Sequence, residues 1–245
     1  MKNTAIEQDA VTEILAQNLG RIEAQIAAAC REAGRPRGEV ALMAVSKMHP
    51  AAAIVAAESL GIRLFGENKV QEFQQKKTQL PESSAEFHLI GHLQSNKAAR
   101  AAEVFASVDT LDSVSLAERL NQAATRLGRR LAVLIEIKLS AEESKAGLEP
   151  DSAELGLLLD RLPDLAALEL RGLMTVPPFL KDLSAVRPYF AQLRGLRDRL
   201  AAAHPRLSLG ELSMGMSHDF AVAIAEGATQ VRIGTALFGP RTYPK

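Results

Sequence analysis

Eight short runs of strand character recur along this chain, and helical patterns separate them. The runs are Val40–Ser46, Arg63–Phe65, Glu86–Ile90, Ser107–Asp109, Leu131–Leu139, Glu169–Thr175, Glu211–Ser213 and Val231–Ile233. An uninterrupted apolar stretch as short as Val40–Val45 reads as a strand buried on both faces. Helical patterns fill the gaps at 51–60, 69–79, 97–104, 115–127, 152–162, 183–203 and 219–226. Asp151 is the expected N-cap of the fifth of these, and Ser217 or His218 of the last. Alternation of strands and helices implies parallel pairing through right-handed crossovers. Eight such units predict an α/β fold, a single (β/α)8 TIM-type barrel occupying residues 1–245 as one domain. A doubly wound open sheet is the runner-up, but no glycine-rich dinucleotide fingerprint follows the first strand. Ile14, Leu15, Leu19, Ile22, Ile26 and Ala29 add an extra amphipathic N-terminal helix from about Val11 to Ala33, which Gly34 stops.

Composition narrows the function classes. Lys+Arg and Asp+Glu both number 29, so the formal net charge is zero and nucleic acid is not the expected partner. The basic pair in Gln75-Lys76-Lys77 reads as a solvated helix face. Cys30 is the single cysteine, which excludes an internal disulfide and fits a reducing, cytoplasmic setting. The first nine residues lack the apolar core of a signal peptide, and no apolar run is long enough to span a membrane.

In a barrel, chemistry belongs at the C-terminal ends of the strands. Lys47 follows the first strand there. Burial at such a position pulls a lysine pKa toward neutrality, and a neutral amine condenses with aldehydes. The bland alternative is a lysine that snorkels to solvent. Ser213-Met214-Gly215-Met216-Ser217 and Arg232-Ile233-Gly234-Thr235 follow strands seven and eight, the frequent phosphate-binding place of this architecture. Ordinary glycine turns are the competing reading. A lysine and a phosphate site on one rim suggest pyridoxal 5′-phosphate (PLP), held as a lysine aldimine. Arg232 would project from strand eight toward the pyridine nitrogen; a structural ion pair is its alternative role.

Other residues carry less. His88 and His92 straddle a strand end and do not read as a metal site. Ser46 and Lys47 point to opposite faces, which argues against a Ser–Lys dyad. Glu67 and Glu136 are acid–base candidates or ion-pair partners. Met174, Met214 and Met216 read as pocket wall.

The chain resembles the pyridoxal phosphate homeostasis proteins, single-domain relatives of the alanine racemase barrel. The resemblance rests on Ala44-Val45-Ser46-Lys47, Phe65-Gly66-Glu67-Asn68, the run from His88 to Lys97, Glu142-Glu143-Ser144-Lys145-Ala146-Gly147, Arg171-Gly172-Leu173-Met174, Leu212–Ser217 and Val231–Gly239. It implies that Lys47 bears PLP. It also implies phosphate contacts from Ser213, Gly215, Ser217, Gly234 and Thr235, with Arg232 at the pyridine nitrogen and Asn68 near the ring; Met174 lines the pocket. It further implies a role in vitamin B6 homeostasis without turnover, PLP-dependent apo-enzymes as recipients, and a monomer or weak dimer. Lys69, Lys138 and His218 depart from the family's usual residues. A PLP-dependent racemase is the alternative. It would need a second base, and the two tyrosines, Tyr189 and Tyr243, follow no pocket strand.

Overall fold

The computed structural model describes residues 2–140, 142 and 146–240, with side chains from residue 11 onward. Helix α1 (Lys2–Glu32) leads into β1 (Ala41–Val45), β2 (Leu64–Glu67), β3 (Glu86–Leu89), β4 (Ser107–Leu111), β5 (Leu131–Glu136), β6 (Leu168–Met174), β7 (Glu211–Met216) and β8 (Gln230–Ile233). Each strand is followed by a helix: α2 (Ala51–Ser59), α3 (Val70–Lys77), α4 (Ala98–Val104), α5 (Val114–Arg126), α6 (Ala153–Arg161), α7 (Leu183–Ala203), α8 (Phe220–Ala225) and α9 (Thr235–Phe238). The strands form a closed barrel in sequence order. Closure is parallel pairing of β1 with β8, from Ala41 opposite Gln230 to Ala44 opposite Ile233. All eight expected strands and the expected (β/α)8 architecture are present.

The apolar alternation explains the layering. Val133 and Ile135 of β5 join the core between barrel and helices, whereas Glu136 takes the inward parity of Ala132 and Leu134. Helix α1 buries Leu15, Ile22, Ile26 and Ala29 and packs against α2, α8 and α9, across the seam where β1 meets β8. It begins nine residues before the expected start, in sequence that lacks the apolar stripe. Its end is set by Gly34, at φ +66°, where the Arg35 N–H bonds back to the Cys30 carbonyl.

Three local expectations need correction. The N-cap of α6 is Ser152, whose hydroxyl accepts the Leu155 N–H, because Asp151 lies one residue too early. Asp219 rather than Ser217 or His218 caps α8. Strand β7 continues to Met216, so Ser213–Met216 is strand rather than loop. The continuation is possible because Gly215, at φ +93°, lets α8 lie directly against the strand. A Cβ there would sit 2.6 Å from that of Ala223.

Helices α3 and α4 are tied to β2 and β3 by an aromatic cluster. Phe73 lies 4.5 Å from Phe87 and 4.8 Å from Phe105, ring centre to ring centre, and is fully buried. Removing a buried phenyl loses its transfer free energy and leaves a cavity. Phe73→Ala is therefore expected to cost about 3–5 kcal/mol in denaturant unfolding. A loss below about 1 kcal/mol would show that the cluster does not anchor α3.

Candidate functional site

Lys47 sits in a tight turn. The His49 N–H bonds to the Ser46 carbonyl at 3.1 Å, which makes Lys47 and Met48 its two central residues. Met48 has φ +64°, a conformation that favours glycine. Side chains over-determine this strained turn. Glu72 accepts the Met48 N–H at 2.6 Å, and Lys76 donates to the Ser46 carbonyl at 2.9 Å. Lys76 also pairs with Glu67 and Glu72, both at 2.8 Å, and the Ser46 hydroxyl donates to Glu67 at 2.7 Å. Burial pushes the Glu67 carboxyl up and Lys76 pulls it back, leaving it above the usual range. Burial also opposes ionisation of Glu72, but Lys76 and the Met48 N–H hold it below. Ser46 thus faces outward toward α3, and Lys47 follows it in the turn at the C-terminal end of β1. Lys76 was expected on a solvated face; it is buried. The Glu72–Lys76 spacing of four residues was the available signal.

The second polar system fills the barrel. Arg232 projects inward from β8 and is buried. Its Nη1 donates to the Ser213 carbonyl and hydroxyl, both at 2.7 Å, and its Nη2 to the Thr175 carbonyl at 2.8 Å. These partners are neutral oxygens, so Arg232 is not a simple ion pair. Gln230 donates to Ser213 at 2.9 Å and reaches Asp109 on the opposite strand β4 at 3.4 Å. Asp109 accepts from Ser107 at 2.6 Å and contacts His88 Nδ1 at 3.1 Å. The column therefore runs from His88 on β3 to Arg232. Its lower end opens on a cavity of about 260 Å³ at the N-terminal mouth, lined by Glu86, Arg171 and Glu211. Burial opposes a charge on His88, but Asp109 and Glu86 overcome it and raise its pKa to about 9.

The two loops expected to hold phosphate do meet. The Ser217 hydroxyl accepts the Ala236 N–H at 3.3 Å and joins the end of β7 to the start of α9. Gly234 and Thr235 lie at that junction, with the Gly234 Cα facing Val45 of β1. Ser213 is deeper than expected. It is fully buried, and its hydroxyl is committed to Arg232 and Gln230. Gly215 is shaped by α8, as described above.

Across the mouth, Asn68 follows β2 and its amide oxygen is buried without a partner. Gly91 allows this loop to close, since a Cβ there would lie 2.3 Å from the Asn68 carbonyl. Met174 ends β6 beside Glu136 and Ser213 and is fully buried. Glu136 ends β5 with an unpartnered buried oxygen. Burial first, and then the Asp112 charge, push its pKa to about 7 against the pull of Arg232. Asp112, itself raised by burial, pairs with exposed His92 at 3.4 Å. His88 and His92 are thus far apart in role, one inside the barrel and one on the rim. No group of three or more metal-ligating side chains occurs among the described residues. His218 lies tilted against Phe179, ring centres 5.1 Å apart, and approaches the Leu180 carbonyl at 3.1 Å, linking the loops after β6 and β7. Lys69 caps α3, and the Lys138 N–H bonds to the Leu148 carbonyl. Glu143, Ser144, Lys145 and Tyr243 lie outside the described residues.

Two outcomes are expected. Lys76→Met leaves Glu67 buried without its cation and should cost about 3 kcal/mol, most of it restored by adding Glu67→Gln; a double variant as unstable as the single one would refute the pairing. His88 has a folded pKa of about 9 against an ordinary value of 6.5, so its contribution is complete below pH 6.5 and lost as pH rises through 9. Unfolding free energy should therefore fall by on the order of 3 kcal/mol across that window, and a His88→Gln variant should show a flatter curve.

Comparison with known proteins agrees with this geometry. Residues 17–242 match the family model described as alanine racemase, N-terminal domain. The chain is 41% identical over 227 residues to the pyridoxal phosphate homeostasis protein of Aquifex aeolicus, covering 93% of this chain and 98% of that protein. It is 44% identical over 234 residues to the protein of the same name from Vibrio cholerae, covering 94% and 97%. Among solved structures, PipY of Synechococcus elongatus with PLP bound superposes with a TM-score of 0.82 at 42% identity, covering 92% of this chain and all of that one. An alanine racemase of Clostridium difficile shares the fold, at TM-score 0.69, 16% identity, and coverage of 95% of this chain and 58% of that one. By its near full-length matches and its closed barrel, the chain belongs to the pyridoxal phosphate homeostasis protein family.

Proposed function

We propose that this chain binds PLP at the C-terminal mouth of the barrel, with Lys47 joined to the cofactor aldehyde as a Schiff base. In this reading it serves cytoplasmic PLP homeostasis, holding the cofactor and handing it on to apo-enzymes rather than turning over a substrate. The observation that carries it is convergence. A strained turn presents Lys47, Ser217 ties together the two phosphate-suited loops, and Arg232 rises between them. The PLP-bound structure of PipY supports the same reading.

The residues present fit the cofactor. Ser217, Gly234 and Thr235 would hold the phosphate, with Gly215 shaping the strand beneath it. Ser213 would act through Arg232, whose position it fixes. Arg232 is always a donor and suits a ring nitrogen that stays unprotonated, which weakens the electron sink. The orphaned Asn68 oxygen and the Met174 wall would flank the ring. When bound, PLP supplies an electrophilic carbon for amines. Tyr189 lies on α7, outside the barrel, and does not offer the second base that a racemase requires.

Purified protein incubated with PLP should turn yellow, with a visible absorbance band that Lys47→Ala abolishes while the fold is retained. A protein that takes up no PLP would defeat this reading. Racemisation of common amino acids at ordinary enzyme rates would defeat the absence of turnover.

A further inference from the structure

One carboxylate oxygen of Glu136, Oε2, has no hydrogen-bond partner among the described residues. Strands β1 and β5 are four apart in the closed barrel of eight, so Glu136 at the end of β5 faces the Lys47 turn at the end of β1 across the mouth. The residue is only 8% exposed, and its Oε2 meets no hydrogen-bond donor. Arg232 is the nearest obvious counter-ion, yet its guanidinium donors bond to Ser213 and Thr175. The backbone crosses tightly at Gly147, where a Cβ would lie 3.1 Å from the Glu136 Cγ. The carboxyl is therefore held in place within the field of Arg232, but no hydrogen bond between the two is present among the described residues. Structural buried carboxylates are normally bonded on their lone pairs. One that is not, at the mouth of a ligand site, points to a group that arrives from outside.

We infer that Glu136 is the group that accepts the proton of a primary ammonium arriving opposite Lys47. This rests on the PLP-holding function proposed above and specifies how the cofactor leaves. At neutral pH a lysine or amino-acid amine is protonated and cannot attack a carbon centre. Its proton passes to the Glu136 carboxylate. The free amine then forms a C–N bond at the cofactor's aldehyde carbon while the C–N bond to Lys47 breaks, and Lys47 leaves as a neutral amine. The proton on Glu136 returns to water. A proton acceptor works best with a pKa near the working pH, and the value of about 7 at Glu136 meets that condition. The charged groups around it are Asp112 from the loop after β4 and Arg232 from β8, with His92 beyond Asp112. Arg232 cannot take a proton. The exposed His92, paired with Asp112, offers a path to solvent.

The test uses PLP-loaded protein and measures release of the cofactor against added glycine, Nα-acetyl-lysine and trimethylamine. Both primary amines should accelerate release, with a rate constant that rises through an inflection near pH 7; trimethylamine should not. Glycine and Nα-acetyl-lysine separate a free amino acid from a protein lysine as the source. Compared at equal PLP loading, Glu136→Gln should lose the inflection and slow amine-driven release by about 100-fold, with partial recovery in Glu136→Asp. Equal rates in the natural chain and Glu136→Gln would overturn the inference while leaving PLP binding intact. No uptake of PLP by the natural chain would instead overturn the function it rests on. A readout independent of the cofactor is carboxyl carbon NMR of the apoprotein. Glu136 should titrate near pH 7, and an ordinary carboxylate titration would also overturn the inference.

Discussion

A guanidinium enclosed in a protein barrel has to be met by acceptors, and the interior of this barrel is organised around that demand. Arg232 is buried and carries its charge permanently. Leaving such a charge unsatisfied would cost several kcal/mol. Ser213 and the Thr175 carbonyl meet the Nη atoms, Gln230 fixes Ser213, and Asp109 anchors Gln230 from the far wall. Burial lowers the readiness of Arg232 to stay charged, and Asp109, Glu136 and Asp219 offset it. The column thus gives one buried side chain a fixed direction inside the barrel.

The Lys47 turn is held by a separate system outside the barrel wall. Glu67, Glu72 and Lys76 place opposite charges around a backbone that Met48 strains. A left-handed non-glycine residue persists only where surrounding bonds over-determine it. Here they come from α3, the helix anchored by Phe73. Packing of an aromatic cluster is thereby transmitted to the position of the Lys47 turn. The turn is held from β2 and α3, and Arg232 from β7 and the end of β6.

The architecture was legible because it is written in periodicity. Eight apolar runs and their helices require only local pattern and crossover rules. Lys47, Arg232 and the two glycine loops were legible because strand order puts strand ends on one rim. What escaped had a common cause. Lys76 reads as a surface lysine until β1 and α3 are brought together, and Asp109 meets Gln230 only when β4 and β8 close across the barrel. The depth of Ser213 escaped for a related reason. Where β7 ends depends on how closely α8 packs, and Gly215 allows an approach that no strand propensity encodes. Hydroxyls in a glycine-rich segment look alike in sequence, although one serves the barrel interior and another, Ser217, ties two loops together.

Unpartnered atoms separate the two ends of the barrel. At the lower end and middle, polar groups are spent on one another, and His88 Nε2 alone in that column lacks a hydrogen bond, with Glu86 3.8 Å away as a charge partner. At the C-terminal ends of β2 and β5, the Glu67, Asn68, Glu136 and Ser140 side chains each bury an oxygen that bonds to nothing among the described residues. Such atoms normally cost about 1–3 kcal/mol each unless something satisfies them. A fold that satisfies a buried guanidinium has the means to satisfy four more oxygens. Leaving them open on one rim, around Lys47, is the pattern of a site whose remaining hydrogen-bond partners come with the ligand.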